Sequence, residues 1–207
     1  MALNLKVHDG IIDRPLHMVG AEFYQIYPKH GAYRYIWNIC LSVNAMTIAV
    51  CASKKLSVPT DGYLGISGKA FDYTIRIPGY DCVEMALTKI EPECIPITLD
   101  WRRKPDVHQG WAPQLREWMD FMIWSGFVDL YEKNKNKIHR GEPSVASMAK
   151  ILRDSCAHGG KITRQKGPDG PVSLDGITIR KEDHGRPISD FFVLGDALVL
   201  SIWMLDQ

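Results

Sequence analysis

The sequence lacks the cysteine patterns that define a disulfide framework or a zinc site. Its five cysteines are odd in number and widely spaced, and no two form a Cys-x-x-Cys pair; they are Cys40, Cys51, Cys82, Cys94 and Cys156. Small secreted domains and structural zinc sites both depend on paired cysteines at short spacings. We therefore expect a protein of a reducing compartment, without disulfides and without a bound metal.

Signals for export, membrane insertion and nucleotide binding are also missing. Residues 1–10 are polar and mixed, without the basic stretch, apolar run and small-residue cleavage site of a leader. The longest uncharged run, 35–52, contains two amides and two hydroxyls that would be costly to bury in lipid. There is no Walker loop, dinucleotide-binding glycine motif, zinc-protease motif or nucleophile elbow. We expect a cytoplasmic protein with no cofactor and no membrane partner.

The chain has almost no net charge, but positive charge is concentrated in one segment. The formal net charge is +1. The stretch from Glu132 to Lys166 nevertheless carries a net charge of +6, because nine basic residues stand against three acids, and the remainder of the chain is therefore −5. This segment is the place where we expect an anionic ligand to bind, although a solvated helix end and loop would have the same composition.

Apolar residues at spacings of three and four predict helices over most of the chain. The predicted helices cover 16–30, where Pro28 disturbs or ends the helix, then 31–55, 81–90, 113–131, 144–158 and 191–205. Ser144 is the expected N-cap of the fifth helix, Gly159 and Gly160 are its expected left-handed stop, and Asp190 is expected to open the last. The predicted fold class is mainly α, in a single domain over 1–207.

Four segments are predicted to lie outside these helices. Residues 1–15 form an expected N-terminal arm, 60–80 a loop or small hairpin, 91–110 a long proline-containing connection, and 161–187 an insertion before the last helix. Within that insertion, Asp175-Gly176 separates two short alternating runs, which is a strong hairpin signal. A small β-hairpin is therefore expected near 172–180.

The segment with the most chemical content lies at the end of the fifth predicted helix. Arg153 and His158 stand there with four residues between them, followed by two glycines. Arg103 and His108 have the same spacing, but Pro105 between them removes the helix that would present them. A guanidinium binds phosphate oxygens, and an imidazole accepts or donates a proton near neutral pH, so this pair suits phosphodiester cleavage.

At the end of this predicted helix, residues 151–159 resemble the Arg-x4-6-His motif of the HEPN family. Members of that family are helical bundles, and many are metal-independent ribonucleases of bacterial defence and toxin–antitoxin systems. The resemblance implies an endoribonuclease that uses the RNA 2′-hydroxyl as nucleophile, a homodimer with a composite site, and an antitoxin or regulatory partner. It implies catalytic roles for Arg153, His158 and Asp154. The basic residues expected to bind RNA are Arg140, Lys150, Lys161, Arg164 and Lys166.

The geometry of an ideal helix constrains this site. Five residues turn through about 500°, so Arg153 and His158 lie about 140° apart around the axis. One helix cannot aim both side chains at one atom, which favours a site shared between two subunits. Asp154 and His158 share a helix face, so the carboxylate is expected to orient the imidazole.

A second interpretation stays open at this point. The family commonly has Asn directly after the motif arginine, whereas this chain has Asp154, and an acid there disfavours phosphate. The chain would then be a catalytically inactive HEPN-like module that binds RNA or protein. Arg153 and His158 would be a solvated residue and a helix cap, as such residues commonly are. Cys156 is expected to pack inward, and His184 to lie on the surface.

Overall fold

The computed structural model describes residues 21–53, 63–67, 74–78, 93–100, 113–164, 170–174 and 176–206. More than half of these residues are in α-helices, and they include a two-stranded antiparallel hairpin, so the coarse prediction of a mainly α chain with a small hairpin is confirmed. The described residues divide into two compact units. The first unit contains the described residues up to Asp120, except Ser67. The second unit contains Ser67 and the described residues from Phe121 onward.

The first unit contains a four-stranded sheet that was not predicted as a whole from the sequence. Its strands are β1 (Ala21–Ile26), β2 (Tyr63–Ser67), β3 (Thr74–Pro78) and β4 (Ile95–Asp100), in the order β1-β4-β3-β2. Strand β4 is antiparallel to both β1 and β3. Strands β2 and β3 are neighbours, which agrees with the hairpin alternative predicted for 60–80.

Strand β1 corrects the helix predicted over 16–30. Tyr24 and Ile26 are buried while Gln25 between them is exposed, which is the period of two that a half-buried strand requires. The aromatic residues of this segment fit helical spacing as well as strand spacing, so the helix prediction is wrong here. Aromatic and β-branched side chains favour strands, and pairing with β4 decides the outcome.

Strand β4 corrects the long connection predicted over 91–110. Ile95 and Ile97 are buried, and the exposed Pro96 between them lies opposite Gln25 of β1. The pairing of β4 with β3 involves Thr98 to Asp100, so Pro96 lies outside that stretch. A proline is tolerated in a strand where its missing N–H is not needed for pairing.

Helix α1 (Tyr33–Ser53) confirms the helix predicted over 31–55. The turn before it is fixed by His30, whose Nδ1 accepts a hydrogen bond from the N–H of Ala32 at 3.1 Å. Its buried side chains recur at helical spacing and include Tyr33, Ile36, Trp37, Ile39, Cys40 and Val43. Helix α2 (Pro113–Ile138) begins with the expected first-turn proline and continues into the second unit.

The second unit is built around helix α3 (Pro143–Ala157), which packs against the hairpin of β5 (Val172–Leu174) and β6 (Ile177–Ile179) and against helix α4 (Leu194–Trp203). The hairpin and the glycine stop of α3 are confirmed, since Gly159 and Gly160 both have φ of +74°. The arm at 1–15 and the helix at 81–90 lie outside the described residues, and the single-domain assignment stays a prediction.

Two helix starts differ from the prediction. The N-cap of α3 is Glu142 and not Ser144; its carboxylate accepts hydrogen bonds from the N–H of Val145 at 2.8 Å and from the Ser144 hydroxyl. Helix α4 begins at Leu194, because Asp190 instead ends a short 3-10 helix and the side chain of Asp196 accepts the N–H of Val193 at 2.6 Å.

The Glu142 cap gives a pH-dependent prediction. Burial acts to raise the pKa of Glu142, but hydrogen bonds from Ser144 and Val145 outweigh it and lower the pKa. A lowered folded-state pKa means that the cap stabilises the protein above the unfolded value of about 4.3 and loses this contribution as pH falls through the folded-state pKa. Glu142→Gln should cost about 0.5–1 kcal/mol at pH 7 and less at pH 3, where more of the carboxylate is protonated.

Urea unfolding of both proteins at the two pH values measures this difference. Glu182→Gln is the control, because Glu182 is an exposed acid that accepts no cap hydrogen bond. An equal cost of Glu142→Gln at pH 7 and pH 3 would contradict the capping role of the carboxylate.

Candidate functional site

The guanidinium of Arg153 joins two helices. Arg153 lies in the second-to-last turn of α3, and its Nη1 donates to Oδ1 of Asp154 at 2.8 Å. Its Nη2 forms an ion pair with Glu132 of α2. The hydrogen bond to Asp154 raises the pKa of Arg153 further, burial opposes this, and Glu132 adds to the rise. The side chain is 30% exposed, and two carboxylates already hold its guanidinium.

Asp154 is bound on both sides by cations. Besides Arg153, its carboxylate lies 3.9 Å from Nζ of Lys150, one helical turn earlier. The Asp154 carboxylate forms no hydrogen bond with the His158 imidazole, so the predicted orienting role of Asp154 is not seen in this structure. The physical reason is that the neighbouring guanidinium offers a charged donor, which competes successfully for the carboxylate.

His158 is the C-cap of α3 and is exposed. Its backbone N–H donates to the carbonyls of Asp154 and Ser155 at 3.0 and 3.3 Å, and the N–H of Gly160 donates to Ser155 at 2.9 Å. These bonds satisfy the last carbonyls of the helix, as a left-handed stop does. Within the described residues the imidazole makes no hydrogen bond or ion pair, so the ring faces solvent and is accessible to a ligand.

The predicted RNA-binding residues do not share one environment. Arg140, Lys150 and Lys161 are exposed. Arg164 is only 7% exposed, and its Nη2 donates to the carbonyl of Gly170 at 2.6 Å. In this structure the Arg164 guanidinium therefore has a structural contact, and its predicted role in RNA binding stays a prediction. Lys166 lies outside the described residues.

Three residues of this region were missed by the sequence analysis: Tyr131, Glu132 and His139. Tyr131 is 1% exposed, and its hydroxyl lies 3.4 Å from Nε2 of His139, with the two rings edge to face at 6.2 Å between centroids. Burial, together with the charge of Asp154, raises the pKa of Tyr131 to about 12, with Arg153 acting in the opposite direction. The Tyr131 hydroxyl is thus electrostatically coupled to the motif.

No signal in the sequence identifies this group. Tyr131 lies at the end of the helix predicted over 113–131 and is buried in the core. Glu132 and His139 come from the end of one helix, whereas Arg153 comes from another, so only the packing of α2 beside α3 brings them together.

An open cavity of about 450 Å³ lies at the end of α2 and is lined by Asn136, Lys137, Arg140 and Gly141. Lys137 also donates from Nζ to the carbonyl of Leu205 at 2.5 Å, which ties the end of α2 to the C-terminal segment. The cavity therefore has one cation held by the fold and a second, Arg140, on the exposed surface.

The chain matches no protein-family model, no curated protein and no solved structure. The HEPN resemblance therefore depends on the motif residues themselves. In the part of the chain that the structure describes, no helix has the length and apolar character needed to cross a membrane. Over the same residues, no three side chains of His, Cys, Asp or Glu are grouped as metal ligands.

Proposed function

We propose that this chain is a HEPN-type endoribonuclease that cleaves RNA without a metal, in a bacterial defence or toxin role. The observation that carries the proposal is the end of α3. The Arg153 side chain is partly exposed there, and His158 caps the helix with its side chain exposed to solvent. This pairing of a phosphate-binding cation with a free acid–base group fits the chemistry that the motif resemblance implies.

The reaction would proceed by attack of the 2′-hydroxyl on the adjacent phosphorus. A base takes the proton of the 2′-hydroxyl, the new P–O bond forms, the bond to the 5′-oxygen breaks, and an acid protonates that oxygen. The products are a 2′,3′-cyclic phosphate and a 5′-hydroxyl. Arg153 would stabilise the charge on the non-bridging oxygens, and His158 would exchange a proton. RNA would first have to replace Glu132 at the guanidinium.

The proposed active form is a homodimer with a composite site, since one helix separates Arg153 and His158 by about 140°. Two copies of the motif around a two-fold axis would bring two arginines close together. Glu132 and Asp154, which already neutralise Arg153 within one chain, would reduce this repulsion before RNA binds. An antitoxin-like partner that covers this face would keep the nuclease inactive.

The second candidate function is a catalytically inactive module that binds RNA or protein. It is favoured by the two carboxylates on Arg153, because an arginine committed to Glu132 and Asp154 acts as a brace between helices. In this case the exposed His158 would be a cap and nothing more.

Incubation of the purified protein with labelled RNA in EDTA separates the two candidates. We expect the wild-type chain to cleave, His158→Ala to lower the rate by about 10²–10⁴-fold, and Arg153→Ala by about 10²–10³-fold. Arg186→Ala is the matched control, since Arg186 also pairs with two carboxylates, those of Asp183 and Asp190, outside the motif. Binding of RNA without cleavage of any RNA tested would reject the nuclease and support the binding module.

A further inference from the structure

Two carboxylates hold the guanidinium of Arg153, and they differ in how firmly they are themselves held. Asp154 is the next residue on α3, its side chain is 21% exposed, and Nζ of Lys150 lies 3.9 Å from its carboxylate. Glu132 comes from α2, its side chain is 40% exposed, and among the described residues its carboxylate pairs with Arg153 alone. Glu132 is therefore the carboxylate that an incoming anion displaces more easily.

The three nitrogens of the guanidinium differ in the same way. Nε of Arg153 is buried and has no hydrogen-bond partner among the described residues, so an anion from solvent does not reach it. Nη1 donates to Asp154 at 2.8 Å. Nη2, which contacts Glu132, is the part of the guanidinium that is open to exchange.

A carboxylate and a phosphodiester offer a guanidinium the same features. Each carries one negative charge and presents two oxygens that accept hydrogen bonds from the planar N–H fork. The Glu132 carboxylate thus takes the place at Nη2 that a phosphate would take. Because the two charges are equal, exchange of one for the other gains little by itself, and the outcome depends on the other contacts of the ligand.

From this arrangement we infer that Glu132 is an autoinhibitory contact, which fills the anion site of Arg153 from within the chain and must leave when a ligand binds. The inference rests on the proposed function and adds regulation to that site. A single small anion competes with Glu132 at a disadvantage, whereas a polymer with several phosphates makes further contacts and displaces it. The contact between α2 and α3 at this point is closed in the free chain and open when the anion is bound.

The test is a titration of the intact protein with inorganic phosphate at pH 7, followed by the NMR amide signals of residues 150–158. Glu132→Gln keeps the length of the side chain and removes its charge, so phosphate should bind about five- to tenfold more tightly than to the wild-type chain. Asp129→Asn is the charge-matched control on α2, because Asp129 pairs with Lys133 instead, and it should change the affinity by less than about twofold. Arg153→Ala added to Glu132→Gln should abolish the gain.

Equal phosphate affinity of Glu132→Gln and the wild-type chain would overturn the inference and leave Glu132 as a brace between α2 and α3. A gain that persists after Arg153→Ala is added would overturn it as well, because the phosphate would then bind elsewhere. Glu132→Ala repeats the comparison with the whole side chain removed, and the same gain is expected.

RNA distinguishes failure of this inference from failure of the proposed function. If the wild-type chain cleaves RNA in EDTA, Glu132→Gln should lower KM by about five- to tenfold, since the competitor of the RNA phosphate is gone. An unchanged KM would overturn the inference and leave the nuclease standing. If neither protein cleaves any RNA, the nuclease is rejected, and the phosphate titration still decides whether Glu132 fills the anion site.

Discussion

Deletion of residues 190–207 is expected to leave a chain that does not fold. Helix α4 has no face toward solvent: its side chains are buried all round, including Leu198, Val199, Leu200, Ile202 and Trp203. It packs against α3, the helix that carries the motif. Loss of several large buried side chains at ~2–5 kcal/mol each exceeds a typical net stability of ~5–15 kcal/mol. The truncated protein should be insoluble or lack a cooperative unfolding transition.

A point substitution makes the same test in a milder form. Leu200 is 0% exposed, so Leu200→Ala should lower the free energy of unfolding of the protein by about 2–5 kcal/mol. The control is Lys133→Ala, because Lys133 forms an exposed ion pair with Asp129 on α2 and should change stability by less than about 1 kcal/mol. A truncated chain that is soluble and unfolds cooperatively would show that α4 is dispensable for the core.

The long helices could be predicted because their information is local. The apolar spacing of α1 and α2, the glycines after α3 and the Asp-Gly turn of the hairpin each act over a few residues along the chain. The same local reasoning places the candidate site at the end of α3, where the helix does end as predicted. The burial of α4 also followed from its composition, since a helix that is apolar all round must be buried.

The four-stranded sheet could not be predicted in this way, because each strand has five or six residues and gains its stability from partners distant in sequence. Strand β1 pairs with β4 across a wide separation along the chain, with Ala21 opposite Asp100 and Ile26 opposite Ile95. Such short runs fit helical and strand periods equally well. The proline in β4 also suggested a loop, and only the pairing register shows why Pro96 is tolerated there.

The basic segment from Glu132 to Lys166 shows the same limit at the level of charge. Its net charge follows from its composition, but the structure assigns much of that charge to internal contacts. Arg153 is held by two carboxylates, Arg164 is buried and Lys137 donates to a backbone carbonyl. Lys135, Arg140 and Lys161 are exposed and make no ion pair with described residues. If the proposed function is correct, RNA would have to replace a carboxylate at Arg153, and attraction to a positive field alone would not suffice.

Cys156 lies inside the motif segment, and its thiol is expected to be almost unreactive in the folded protein. Burial raises the pKa of Cys156 from 9.0 to about 12. The thiolate is the reactive form, and each unit of pKa changes its population about tenfold below the pKa. At pH 8 the folded protein should therefore react with iodoacetamide at Cys156 about a thousandfold more slowly than the urea-unfolded chain does.

Peptide mass spectrometry after timed labelling measures the rate at each cysteine separately. Cys40, which is 0% exposed, is an internal control for a protected thiol, and the unfolded chain gives the rate of an accessible one. Labelling of Cys156 in the folded protein at the unfolded rate would mean that the end of α3 opens readily or that the thiol is activated. Slow labelling would instead leave Arg153 and His158 as the chemically competent side chains of the segment, because a thiol without its thiolate can act neither as a nucleophile nor as a redox group.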